Sequence, residues 1–312
     1  MAMAQKKSIE VHLHTNYSCN LFCRHCYNNS GSCNKSILSP ELVLDLLEKL
    51  CAGYEAEIHL EGGEIFLLPG LLAAMNDLPD EVLKCITITT NGTIRLTDPD
   101  ILEMLSRIQA LRVSVEGHTN EQQREIRNID LTPILENARF YKENKIPVWL
   151  RITLHKNNWE AFVKETLLVL NAEGFENIQV YEFQNVGRGN ENQVEFDLGA
   201  SIVRLLKSLE ENHSLLKGRV RMMFPEKRIK EILDEKAALL KRGYTVQILE
   251  PEAGISIHAD GQVYLCAWED DPKKCLMNLY TTGIELFLEK IGTMDLTHRC
   301  SHCSAVRIAK GN

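Results

Sequence analysis

The 312-residue sequence predicts an α/β fold, built as an open, partial (β/α)6 barrel. Six strand-like runs alternate with helical stretches from residue 9 to residue 183, an order that calls for parallel strands and right-handed crossovers. A polar or glycine-rich segment follows nearly every strand, on the rim where parallel α/β sheets gather their ligands. Six units also fall short of the eight that close a barrel, so the sheet stays open.

Residues 9–14 read as the first strand and lead straight into a cysteine-rich loop. Ser39-Pro40-Glu41 is a helix start, with a hydroxyl cap and a proline at the first helical position. Leu42, Val43, Leu46, Leu47 and Leu50 follow at helical spacing. The second strand, 57–60, ends in Glu61-Gly62-Gly63-Glu64, and a helix near 70–76 follows. Strand 85–89 ends in Thr90-Asn91-Gly92, and Asp98-Pro99-Asp100 opens another helix. Strand 111–115 ends in Glu116-Gly117; helix 132–144, strand 148–154, helix 159–172 and strand 178–183 complete the rhythm. After residue 196 the pattern changes to two charged helical stretches, near 197–211 and 225–242. A strand at 245–249 and a hairpin of 255–258 with 262–265 come next. The expected division is 1–215 for the barrel and 216–312 for a helical linker with a small C-terminal module.

Composition narrows the function. Lys plus Arg number 35 against 43 Asp plus Glu, which argues against nucleic acid as the main partner. No apolar run reaches the ~18 residues that span a bilayer, and the polar start lacks a signal peptide. A cytoplasmic location is the expectation, and in that reducing compartment ten cysteines point to metal or redox chemistry.

Cys19, Cys23 and Cys26 stand in a C-x3-C-x2-C loop after the first strand. Three thiolates can hold three irons of a cubane and leave the fourth open; structural zinc, which wants four ligands, is the alternative. With Asn20 and Tyr27 around it, this spacing resembles the signature of radical S-adenosylmethionine (SAM) enzymes. Gly62-Gly63-Glu64 resembles the glycine-rich motif whose backbone receives the SAM amino group, and Asn91 falls in the third-strand motif. Ser114 and Glu116 resemble the segment facing the ribose hydroxyls. Arg127 stands where the family often pairs an arginine with the SAM carboxylate, with Arg124 as a competitor, and Gly187 falls in an adenine-side segment. The resemblance implies a SAM-binding [4Fe-4S] cluster, an external electron donor such as flavodoxin or ferredoxin, and a 5′-deoxyadenosyl radical that takes hydrogen from substrate.

Cys266, at the end of a G-x4-C hairpin, and the pair Cys300 and Cys303 resemble the C-terminal modules called SPASM and, in shorter form, Twitch. The cysteine that usually precedes the hairpin is missing, and Cys275 is the expected replacement ligand of an auxiliary [4Fe-4S] cluster; zinc on the same four residues is the alternative. Enzymes with this module often crosslink, epimerise or oxidise ribosomally made peptides, so a peptide substrate is expected. Only about seven residues precede the first strand, which points to a separate leader-binding protein or to the barrel rim for peptide recognition. Radical dehydrogenation or rearrangement of a small molecule, and a metal-bound scaffold without catalysis, are the competing readings.

Overall fold

A computed structural model describes residues 6–31, 33, 35–192, 196–216, 218–251, 253–298 and 303–310. Local signals act as their chemistry dictates. Ser39 caps the helix Pro40–Gly53 by accepting from the Leu42 amide, and Val43, Leu46, Leu47 and Leu50 form its buried stripe. Asp98 caps Pro99–Arg107, and Thr119 with Gln122 makes a capping box for Asn120–Arg127.

Six parallel strands run in chain order: β1 (Ser8–His14), β2 (Glu55–Glu61), β3 (Ile86–Thr90), β4 (Ala110–Val115), β5 (Val148–Leu154) and β6 (Asn177–Glu182). A seventh, β7 (Arg219–Pro225), pairs parallel with β6, in a stretch where the sequence suggested no strand. The following helix therefore starts at Ile229, not near 225. Val220, Met222 and Phe224 are buried while Arg219 and Arg221 are exposed, a period-two pattern partly hidden by its charges.

The remaining strands are β8 (Thr245–Ile248), β9 (Gly254–Ile257), β10 (Gln262–Tyr264), β11 (Met277–Asn278) and β12 (Ser304–Lys310). All join one sheet in the order β11-β10-β9-β1-β2-β3-β4-β5-β6-β7-β12-β8. The segment after residue 216 thus extends both edges of the parallel core, with β9 parallel to β1 and β12 antiparallel to β7. The sheet is open, as the unit count predicts.

Alternation along the strands positions the site. Val11, Leu13, Ile58, Leu60, Val113, Ile152 and Val180 are buried in the main apolar core. The opposite parity is polar: Glu10, His12, His59, Glu61, Arg112, Ser114, Arg151, Gln179 and Arg221 line internal cavities. Parallel strands buried on both faces are ordinarily apolar throughout; here one face encloses a polar chamber. Among the described residues no helix is long and apolar enough to cross a membrane.

Candidate active site

The C-terminal ends of the parallel strands surround a cavity of about 1150 Å³, open to solvent. Cys19, Cys23, Cys26, Gly62, Gly63, Asn91, Ser114 and Arg127 all line it. Residues more than a hundred positions apart thus meet in one space. Cys33 is exposed and outside that lining, and Arg124 pairs with Asp130 on an exposed helix face.

Backbone contacts hold the cysteine loop against β2. The Gly63 amide donates to the Asn16 carbonyl at 2.7 Å, and the Glu64 amide to the Ser18 carbonyl at 2.9 Å. Asn28 Nδ2 donates to the Gly62 carbonyl at 2.9 Å. A Cβ on Gly63 would lie 2.0 Å from the Ser18 carbonyl oxygen, and Gly62 has φ +151° with Asn16 O 2.5 Å from such a Cβ. Glycine is required here because two main chains touch.

Three further clamps fix the loop. Asn91 Nδ2 donates to Asn20 Oδ1 at 2.9 Å and faces Cys19 Sγ at 3.8 Å. Gly187, at φ +55°, leaves no room for a Cβ against the carbonyls of Cys26 and Tyr27. Beside it Arg188 donates to the carbonyls of Cys23 (3.0 Å) and Ser30 (2.7 Å), and its guanidinium covers the Phe22 ring at 3.8 Å. Sequence reasoning gave Arg188 no role; the Gly-Arg-Gly setting was its only signal.

Two acids of the sequence motifs sit behind the cavity wall. Glu64 accepts from Thr90 Oγ1 and the Asn91 amide, each at 2.7 Å, and from the Phe66 amide at 3.0 Å, tying the end of β3 to the glycine turn. Glu116 accepts from Arg127 Nε at 2.6 Å and lies 2.9 Å from His25 Nε2. Burial opposes its charge, but His25 and Arg127 outweigh burial and hold it near 2. Arg127 also directs Nη1 toward Cys23 Sγ at 3.9 Å. Arg127 is therefore oriented by Glu116 while it faces the cavity.

The donor set suits an iron–sulfur cluster. Three soft thiolate donors line one cavity, three ligands for a cubane that leave its fourth iron open, where structural zinc wants four. Burial and the neighbouring sulfurs push the Cys23 thiol up to about 11, against the pull of Arg127. Metal binding must therefore displace its proton.

Below the rim the chamber continues into a second cavity that shares Tyr27, Glu61, Arg151, Tyr181, Met223, Trp268 and Ser304 with the first. Tyr27 donates its hydroxyl to Glu61 at 2.7 Å, and Glu61 approaches His12 at 3.6 Å and Arg151 at 3.7 Å. Burial disfavours a charged His12, yet the adjacent carboxylates of Glu10 and Glu61 lift it to about 10. Cys266, His298 and Cys303 line the far side of this second cavity. Cys275 is not in that lining and directs its thiol to the Met277 carbonyl at 3.2 Å, while Cys300 lies outside the described residues.

Three buried histidines make the fold sensitive to acid. Burial, with His258 adding repulsion, lowers His14 to about 3; burial lowers His155 and His258 to about 4. The unfolded chain takes up their protons first, so stability falls as pH drops from about 6.5 toward 4, with a slope reaching about 4 kcal/mol per pH unit. Denaturant midpoints of chelated apoprotein between pH 7.5 and 4.5 should show this loss. A flat profile between pH 6.5 and 5 would contradict it.

An open parallel barrel whose rim carries a three-cysteine loop beside a glycine turn defines a SAM-dependent iron–sulfur enzyme class. The chain belongs to the radical SAM superfamily, whose profile matches residues 13–168. It is 23% identical over 275 residues to a probable GTP 3′,8-cyclase of Sulfurisphaera tokodaii, covering 84% of this chain and 82% of that one. It is 28% identical over 145 residues to the sporulation killing factor maturation protein SkfB of Bacillus subtilis, covering 45% of this chain and 34% of SkfB. Among solved structures, SAM-bound SuiB of Streptococcus suis superposes with a TM-score of 0.66 at 15% identity, over 89% of this chain and 65% of SuiB. SAM-bound anSMEcpe does so at 0.64 and 16% identity, over 93% of this chain and 82% of that one.

Proposed function

We propose that this radical SAM enzyme modifies a ribosomally made peptide by crosslinking, epimerisation or oxidation. The observation that carries the reading is the continuity between the three-cysteine cavity and a second, polar chamber, through the lining residues they share. Two of the relatives support a peptide: SkfB is a maturation protein, and SuiB has been solved bound to its precursor peptide SuiA.

In this reading Cys19, Cys23 and Cys26 hold the SAM-binding [4Fe-4S] cluster. Gly62, Gly63, Asn91, Ser114 and Arg127 meet SAM, and Gly187 brings the adenine-side backbone close. When bound, the cluster and SAM supply a reductant and a hydrogen-atom acceptor. The chain does the rest. Arg127, steered by Glu116, offers a guanidinium to a carboxylate; Glu64 keeps the glycine turn and the end of β3 in place; the enclosing sheet limits competing hydrogen donors. Residues 216–312 serve as an auxiliary module with Cys266, Cys275, Cys300 and Cys303 as ligands. Electrons come from a flavodoxin or ferredoxin.

Co-expression with a short peptide encoded beside its gene tests the substrate. A mass shift, or a retention shift for epimerisation, is expected in that peptide. An unchanged peptide from cells holding iron-loaded enzyme would overturn the peptide reading. A small anionic substrate is the second reading, favoured by the cyclase relative that matches 84% of the chain.

A further inference from the structure

The lower chamber carries arginines without acidic partners. Arg112 on β4, Arg221 on β7 and Arg307 on β12 line it together with Arg151 and Gln179. Strand register sets Arg151, Gln179 and Arg221 side by side across β5, β6 and β7. Among the described residues, Arg127, Arg139, Arg151 and Arg228 each have a carboxylate within 4.0 Å, whereas Arg112, Arg221 and Arg307 have none.

What these three touch does not neutralise them. Arg112, only 8% exposed, directs Nη1 to His59 Nδ1 at 3.2 Å. Arg221 lies over the Trp149 ring at 5.8 Å, and the buried Nε of Arg307 has no hydrogen-bond partner among the described residues. Although Arg221 keeps an exposed side, partial desolvation, then repulsion from Arg307 and Arg112, outweighs Tyr181 and Glu57 and lowers its guanidinium below its ordinary range. Of the acids lining the chamber, Glu10 bonds His59 at 3.0 Å and pairs with His12 at 3.4 Å, and Glu61 takes the Tyr27 hydroxyl. Glu57 lies 3.6 Å from His59 and only partly offsets Arg221; Glu250 also lines the chamber but lies more than 4.0 Å from all three guanidiniums. The Glu10, His12 and His59 ligand atoms lie within 4.8 Å of each other; Arg112 occupies the second nitrogen of His59, while His12 Nδ1 has no hydrogen-bond partner among the described residues.

We propose that Arg112, Arg221 and Arg307 form a subsite for an oxyanion of the substrate, a carboxylate or a phosphate. Guanidinium groups bind such groups through paired, charge-assisted hydrogen bonds, and like charges gathered in a chamber favour an incoming anion. The subsite lies one layer beneath the rim: Ser114 lines the upper cavity and Arg112 the lower one, about 7 Å apart along β4. It would therefore set the distance from the anion to the reacting carbon. This inference rests on the reading of the chamber as the substrate site.

Calorimetric titration of the reconstituted full chain, without reductant, tests it. The probes are tripolyphosphate, a triglutamate peptide and a triglutamine peptide as the neutral control. At least one anion should bind about tenfold or more tightly than triglutamine, and lose about tenfold or more in Arg221→Gln and Arg307→Gln. Arg221→Lys should recover part of the loss. The melting midpoint of Arg221→Gln should hold or rise, because an uncompensated charge is removed; a purely structural arginine would lower it. Tighter triglutamate assigns a carboxylate, and tighter tripolyphosphate a phosphate. No preference for either anion over triglutamine, or equal affinity in both glutamine variants, overturns the subsite. Binding is read without turnover, so failure here is distinct from failure of peptide modification in co-expression.

Discussion

Cys23→Ala is expected to remove about four irons per chain and to reduce SAM cleavage to background. Cys23 is 8% exposed, lies in the lining of the rim cavity, and receives the Arg127 guanidinium at 3.9 Å from its sulfur. Its main-chain carbonyl is held by Arg188, a contact the substitution leaves in place. The lost volume is one sulfur, so the fold should survive and the defect should be chemical. A chain with clusters at both ends should fall from about eight irons to about four, and one with a single cluster should fall to none. Iron and sulfide quantification, with 5′-deoxyadenosine measured by chromatography, reads both effects. Full iron content with undiminished cleavage would remove Cys23 from the ligand set.

Gly63→Ala is expected to be the most damaging glycine substitution near the site. The added Cβ meets Ser18 O at 2.0 Å, Ser18 C at 2.5 Å and Tyr17 O at 2.9 Å, all main-chain atoms that cannot rotate away. Relief requires shifting the cysteine loop away from β2, which breaks the 2.7 Å and 2.9 Å amide contacts from Gly63 and Glu64. Overpacking combined with lost buried hydrogen bonds costs about 3 kcal/mol or more, a fall in melting midpoint on the order of 6 °C or more. SAM cleavage should fall further than stability does, because Cys19 follows directly on the displaced Ser18. Gly70→Ala is the matched control, since its Cβ would meet nothing within 4 Å. Equal melting midpoints for the two variants would show that the loop is not pinned at Gly63.

Much of the frame is written in short-range signals. Ser39 and Asp98 announce helix starts because capping is a contact between near neighbours in sequence, whereas the equally local Thr119–Gln122 box opens a helix absent from the expectations. The six alternating strands, the cysteine spacing and the glycine turn are equally local, and the fold gathers those motifs at one rim. Features set by register were not legible. β7 hides its alternation behind Arg219 and Arg221, whose aliphatic neighbours alone mark a strand. The arginine wall exists only once β5, β6 and β7 are aligned. Arg188 grips a carbonyl 165 positions away, which no window of sequence reveals. Glu64 and Glu116 show a subtler limit: their motif positions are local, but only the fold places both carboxylates behind the cavity wall. Cys275 stands outside the cavity lining that Cys266 and Cys303 share, so its place in the ligand set remains a proposal drawn from the sequence.

The most direct measurement is 5′-deoxyadenosine formation by the anaerobically reconstituted, reduced protein given SAM. Cleavage that depends on reductant and is absent in Cys23→Ala is the predicted result. A protein that holds its full iron and sulfide, binds SAM and yet yields no 5′-deoxyadenosine with reductant and substrate would contradict the assignment of the rim cavity as the SAM-cleaving site.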